Sequence, residues 1–101
     1  MSTPVLVVVS YEAKPGSEEQ LAGVLRSHVA RLRELGLLAE GPTFVGERLD
    51  KPGSFLESFR WRDRGAKDIA HDNPEVMEIW MRMEDLCVAE GIRPMPLRVL
   101  D

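Results

Sequence analysis

Apolar residues change their spacing several times along this chain, and each change predicts a different element. Residues 4–12, PVLVVVSYE, form a β-branched apolar run without alternation, which predicts a strand covered on both faces. Apolar residues then recur at every third or fourth position, which predicts an amphipathic helix. Ser17 and Gln20 fit a capping box at its start, and Gly36 stands where a left-handed C-cap belongs.

The middle of the chain predicts a β-hairpin. Residues 43–49 and 54–61 read as strands, and residues 50–53, DKPG, lie between them. The Pro-Gly pair suits the central positions of a type II turn.

Glu57 is unusual because strand alternation places it on one face with three aromatic residues, among them Trp61. Two explanations remain open. Glu57 pairs with an arginine such as Arg48 or Arg60 on a neighbouring element, or it is buried without a partner and becomes a possible general base.

Two helices follow the hairpin. Residues 65–72 allow two helical turns, and Asn73-Pro74 restarts the chain with an N-cap residue and a proline preset for the first helical position. The second helix is predicted over residues 74–89, with a wide apolar stripe that includes Cys87 as a small buried residue. Gly91 is predicted to close it.

Residues 92–100 are predicted to form the last strand. Pro94 and Pro96 lie two positions apart, so both remove an amide donor from the same edge. This strand should therefore pair on one side only, at the sheet edge or against a second subunit.

The predicted order is β-α-β-β-α-β with an extra short helix, in a single domain of residues 1–101. That order predicts an α+β fold of the ferredoxin-like kind, with an antiparallel four-stranded sheet and helices on one face. The other sheet face would be bare. Because the first strand is apolar on both faces, we expect that face to pack on a second copy in a homodimer.

Composition narrows the function classes. Hydrophobic residues make up 44% and charged residues 30%, and the net charge is -4 without a basic block, which argues against nucleic-acid binding. No run approaches a membrane span or a signal peptide, so a cytoplasmic protein is expected. One cysteine and two distant histidines argue against a metal site.

The segment from residue 61 to residue 80 carries the pattern W-x4-A-x4-H-x2-P-x5-W, made by Trp61, Ala66, His71, Pro74 and Trp80. With this pattern, the opening VVVSYEAKPGSEEQL and the order of elements, the chain resembles the antibiotic-biosynthesis-monooxygenase-like family of dimeric α+β barrels. That family contains cofactor-independent oxygenases of polycyclic phenols and quinols, haem-degrading enzymes, a signal-molecule isomerase and members of no known activity.

The resemblance implies a pocket between sheet and helices in each subunit, with His71 at its mouth. It also implies chemistry without metal or flavin, in which the site removes a proton and the substrate anion passes an electron to oxygen. The haem-degrading branch uses an asparagine in its first strand, where Ser10 and Tyr11 stand here, so haem is disfavoured.

These features support two hypotheses of function. In the first, the chain is a cofactor-free monooxygenase of an aromatic quinol-like or polyketide-like molecule, with His71 in proton transfer. The residues predicted to bind the substrate are Trp61, Trp80, Tyr11, His28 and Glu57. In the second, it is a non-catalytic dimeric domain that binds a small apolar ligand, or a haem-degrading or isomerase member of the same family.

Each of these candidates also has a structural explanation. His71 would then be a helix-end histidine and His28 a satisfied, partly buried one. The tryptophans would be core residues, and Tyr11 a surface group or a phenolic donor.

Overall fold

The protein, described by a computed structural model over residues 3–100, consists of one four-stranded sheet and three helices within that range. The elements are β1 (Val5–Ala13), α1 (Glu18–Glu34), β2 (Phe44–Glu47), β3 (Ser54–Trp61), α2 (Ala66–His71), α3 (Pro74–Leu86) and β4 (Cys87–Leu97). The strand order is β2-β3-β1-β4, and every pairing is antiparallel. The predicted ferredoxin-like α+β fold is confirmed.

The central strand β1 has one buried and one half-buried face. Val7, Val9 and Tyr11 are buried in the core with residues of the helices. Leu6 and Val8, on the opposite face, remain half-buried. Both faces of this strand were predicted to be covered, but only one of them is buried within this chain.

The two ends of α1 differ from each other in how well they were predicted. Gly36 has the left-handed φ of 73° that the predicted C-cap requires. Ser17 occupies the N-cap position, but its side chain makes no capping hydrogen bond, so the predicted capping box with Gln20 is wrong. Its ψ of 5° departs from the extended backbone that aims an N-cap side chain at the helix amides.

The hairpin between β2 and β3 has the predicted turn. The Ser54 amide donates to the Lys51 carbonyl over 3.1 Å, and Gly53 has φ 87°, as a type II turn requires at that position. β3 has the predicted bounds, whereas β2 is shorter than residues 43–49.

The junction of α3 and β4 differs from the prediction. The helix ends at Leu86 rather than near residue 89, and Cys87 is the first residue of β4. Cys87 is buried as expected, but it pairs with Ala13 of β1 instead of belonging to the helix. The Lys14 amide also donates to the Leu86 carbonyl over 2.9 Å, so hydrogen bonding to β1 replaces the helix at this point.

Gly91 lies inside β4 and does not close the helix as predicted. The pairing of β4 with β1 changes register near it, and Glu90 just before it has φ 59°. A Cβ on Gly91 would lie 2.8 Å from the Val88 carbonyl oxygen and 3.0 Å from that of Glu12. Only glycine therefore allows the chain to approach itself so closely here.

β4 forms an edge of the sheet and pairs only with β1, as the two prolines predicted. Pro94 lies opposite Val9, and Pro96 lies opposite Val7. No helix in the described part of the chain is both long enough and apolar enough to cross a membrane.

Candidate functional site

A cavity of about 610 Å³ lies between the sheet and the helices. That volume falls within the usual range for small-molecule sites. Its sheet wall is largely apolar, with Val5, Val7 and Val9 of β1, Phe59 and Trp61 of β3 and Ile92, Pro94 and Pro96 of β4. Its helix wall includes Met77, Trp80 and Met83 of α3.

Glu57 is the centre of a polar cluster on the inner wall of this cavity. Its side chain is fully buried, and each carboxylate oxygen has a different partner. The Tyr11 hydroxyl donates to Oε1 over 2.6 Å, and His28 Nδ1 lies 2.7 Å from Oε2. Alternation turns the Tyr11 side chain of β1 and the Glu57 side chain of β3 inward. Helical spacing on α1 brings His28 to the same place.

The partners of Glu57 differ from the predicted arginines. Arg48 pairs with Asp50, and the half-exposed Arg60 lies on the opposite face of β3 from Glu57. Neither guanidinium is therefore available to the buried carboxylate.

Tyr11 is buried, so it is not the surface group that its place near a strand end also allowed. Burial raises the pKa of its hydroxyl far above the usual range, and the nearby Glu57 carboxylate raises it further. Tyr11 therefore remains a neutral phenol and acts as a hydrogen-bond donor.

Trp80 continues the polar cluster toward the helices. Its indole Nε1–H donates to His28 Nε2 over 2.8 Å. Since an indole nitrogen can only donate, His28 Nε2 is an acceptor and the imidazole proton lies on Nδ1, from which it is donated to Glu57. The cluster thus runs from Tyr11 through Glu57 and His28 to Trp80, and no buried side-chain nitrogen or oxygen in the described range lacks a hydrogen-bond partner.

His71 is the last residue of α2 and lies exposed where the cavity opens. Its ring meets the Trp80 indole edge-on, with 4.7 Å between the ring centroids. Within residues 3–100 its ring nitrogens have no hydrogen-bond partner, so both face solvent or a ligand.

The structure brings all six predicted site residues to this one cavity: Tyr11, His28, Glu57, Trp61, His71 and Trp80. Trp61 is buried against Phe59, with ring centroids 5.0 Å apart, and Trp80 is half-buried.

Charged residues at the mouth of the cavity were missed at the sequence level, among them Arg64, Lys67 and Glu84. Lys67 and His71 lie four positions apart on α2, and that spacing was the signal that they share a face. Among the described residues, no group of three or more His, Cys, Asp or Glu side chains is arranged to hold a metal ion.

Comparison with protein-family models finds no match, and comparison with curated proteins finds none either. Among solved structures, PA3566 from Pseudomonas aeruginosa is 23% identical with a TM-score of 0.82, and covers 100% of this chain and 98% of its own. SnoaB from Streptomyces nogalater, described as a cofactor-independent oxygenase, is 14% identical with a TM-score of 0.81 over 97% of this chain and 94% of its own.

A structure described as an antibiotic biosynthesis monooxygenase matches with a TM-score of 0.79 at 16% identity, over 96% of this chain and 99% of its own. The chain has the antibiotic-biosynthesis-monooxygenase-like fold. At these identities the similarity establishes the fold, and to that extent the resemblance predicted from the sequence is confirmed.

Proposed function

We propose that this protein is a cofactor-independent monooxygenase of an aromatic quinol-like or polyketide-like small molecule. The observation that carries the proposal is an apolar cavity of about 610 Å³ with an exposed imidazole, that of His71, at its mouth. The walls suit a polycyclic ring system, and an imidazole exchanges protons near neutral pH. The fold shared with a cofactor-independent oxygenase supports the same choice.

In the proposed reaction, His71 takes a proton from an acidic methylene or phenol of the substrate. The resulting anion passes one electron to molecular oxygen, and the radical combines with superoxide to form a peroxide anion. For a methylene substrate, this anion takes up a proton and then loses water to leave a ketone. One oxygen atom enters the product and the other leaves as water, so the substrate supplies all the electrons and no external reductant is needed.

The remaining cavity residues would bind and orient the substrate. Trp61 and Trp80 form walls, and Tyr11, Glu57 and His28 form a polar patch at the inner end. Stabilisation of the substrate anion would fall to Arg64 and Lys67, which carry positive charge at the mouth of the cavity where His71 takes the proton.

Oxygen uptake tests this proposal. A panel of quinols and anthrones is offered to the wild type, to His71→Ala and to Asp72→Ala, and oxygen consumption is recorded. Asp72 adjoins His71 at the end of α2 but does not line the cavity, so it is a matched control. We expect His71→Ala to lower turnover roughly 100-fold or more, as loss of a positioned base does, and Asp72→Ala to leave it near wild type. No turnover by the wild type, or full activity of His71→Ala, contradicts the proposed role.

A second function has one observation in its favour, which is that the polar cluster is complete without a ligand. A closed cluster fits a domain that binds a small apolar molecule and does not transform it. Titration of the same compounds, followed by the fluorescence of Trp61 and Trp80, separates the two functions: binding without oxygen uptake supports the second.

We also propose that the chain forms a homodimer through the outer face of the sheet. Leu6 and Val8 are half-buried there, and Met95 and Leu97 of the edge strand are 46% and 45% exposed. A second copy would remove this apolar surface from water. Sedimentation should show a dimer at micromolar concentration, and a stable monomer would exclude it.

A further inference from the structure

His28 presents one acceptor to the cavity, and its neighbours fix which nitrogen that is. Nδ1 carries the proton and faces Glu57, while Nε2 carries the lone pair and receives the Trp80 N–H. The other neutral tautomer would set the Nδ1 lone pair against the carboxylate and an Nε2–H against the indole N–H. Both contacts would be repulsive, so the cluster permits one neutral tautomer.

Tyr11 and Glu57 make this arrangement stiff. Glu57 is fully buried, Tyr11 is 2% exposed, and both carboxylate oxygens are engaged within 2.7 Å. Rotation of the His28 ring would leave a buried carboxylate oxygen without its donor, which is costly. The acceptor lone pair is therefore held toward Trp80 and the cavity.

Trp80 is the one member of the cluster that is able to leave it cheaply. Its side chain is half-buried, and it lies between His28 on one side and the exposed His71 on the other. Near solvent, a displaced indole N–H regains a partner from water. His28 has no such alternative, since it is 3% exposed.

We propose that Trp80 is a placeholder on His28 Nε2, and that a ligand hydroxyl takes its position by donating to that nitrogen. The ligand class that follows is an aromatic molecule with a phenolic O–H, in preference to its methyl ether or to a quinone, which offers only acceptors. The inference rests on the proposed function insofar as it uses the same cavity, and it deepens that function by naming the group that is recognised.

The test compares 1-naphthol with 1-methoxynaphthalene and 1,4-naphthoquinone by calorimetric titration of the wild type. One hydrogen bond to a buried acceptor predicts roughly tenfold tighter binding of the naphthol than of its ether. Equal affinities for naphthol and ether would overturn the inference.

Trp80→Phe should change the ratio of naphthol to ether affinity in a direction that a merely structural role of Trp80 would not produce. Without an N–H to displace, the variant should bind naphthol better relative to the ether than the wild type does. Trp61→Phe, the matched change at the wall tryptophan that does not bond His28, should change both affinities by the same factor and so leave their ratio unchanged. A ratio that falls or stays the same in Trp80→Phe contradicts the placeholder role.

A measurement on the unmodified protein keeps the inference testable if a variant fails to fold. Long-range proton–nitrogen correlation spectra distinguish the two imidazole tautomers, and His28 should show its proton on Nδ1. A proton on Nε2 in the free protein would overturn the inference. None of these measurements uses oxygen uptake, so the two proposals fail separately. Selective binding of the naphthol without oxygen uptake would refute only the oxygenase function. Oxygen uptake without selective binding would refute only the proposed hydrogen bond from the ligand hydroxyl to His28.

Discussion

Replacement of Tyr11 by phenylalanine removes one hydrogen-bond donor from a carboxylate that has no contact with solvent. The ring stays, so packing in the core changes little. The hydroxyl that donates to Glu57 Oε1 over 2.6 Å is lost, and that oxygen is left buried without a partner. The His28 bond to Oε2 remains.

The expected cost follows from the type of bond. A hydrogen bond to a charged group contributes about 1.5–3 kcal/mol to folding, so Tyr11→Phe should lower the free energy of unfolding by about 2 kcal/mol at pH 8. For a domain of this size that corresponds to a fall in melting temperature of roughly 8–16 °C.

The pH dependence adds a second, independent signature. Burial and the Glu57 carboxylate raise the pKa of Tyr11, so the folded protein keeps a proton that the unfolded chain releases above about pH 10. The stability contributed by the neutral phenol is therefore present below pH 10 and is lost as pH rises, by about 1.4 kcal/mol between pH 8 and pH 11. Over that interval, the gap in stability between the wild type and Tyr11→Phe should narrow by the same amount.

The assay is urea unfolding of both proteins at pH 8 and pH 11. Other groups titrate in both proteins, so the difference between them isolates Tyr11. Since Tyr11 is the only tyrosine, tyrosinate absorbance also reports its ionisation directly, and it should appear only as the protein unfolds. A reversible rise near pH 10 in the folded protein, or a variant as stable as the wild type at pH 8, would refute the reasoning.

Two matched pairs of substitutions test the fold, each followed by the midpoint of urea unfolding. Gly91→Ala should lower the free energy of unfolding by about 1–3 kcal/mol because its Cβ would meet the Val88 carbonyl at 2.8 Å. Gly46→Ala, with no atom within 4 Å of the added Cβ, should be neutral or slightly stabilising. Equal effects of the two substitutions would contradict the close approach at Gly91. Asn73→Ala should cost about 1 kcal/mol because the side chain accepts from two amides of α3, and Ser17→Ala should cost almost nothing because it accepts from none. A large loss in Ser17→Ala would restore the capping box that the structure lacks.

Patterns confined to one element were the part of the fold that the sequence predicted best. Strand β3 was placed at residues 54–61 because a Pro-Gly turn precedes it and its alternation is regular. The α3–β4 junction was misplaced because the apolar run of Leu86, Cys87 and Val88 fits a helix or a strand equally well. Pairing of Cys87 with Ala13, a contact distant in the chain, decided the outcome.

The candidate site shows the same division. Family resemblance and apolar patterns pointed to the six residues that share the cavity, yet the order of the polar cluster was not predictable. Helical spacing places His28 on the buried face of α1, but it does not report which strand residue lies opposite, and His28 meets Glu57 because α1 packs across β3. Local alternation did contain a reason to reject Arg60 as the partner of Glu57, since odd and even positions of one strand face opposite sides.

The prolines of β4 have a consequence for aggregation. Pro94 and Pro96 have no N–H to give to β1, so their nitrogens face the free edge and leave it short of two donors. A strand from another molecule that docked there would have carbonyls without partners, each at a cost of about 1–3 kcal/mol. The opposite edge, β2, is only four residues long. The sheet is thus a poor template for amyloid-like growth at either side, and this protects the protein at high concentration without any loss of its apolar cavity.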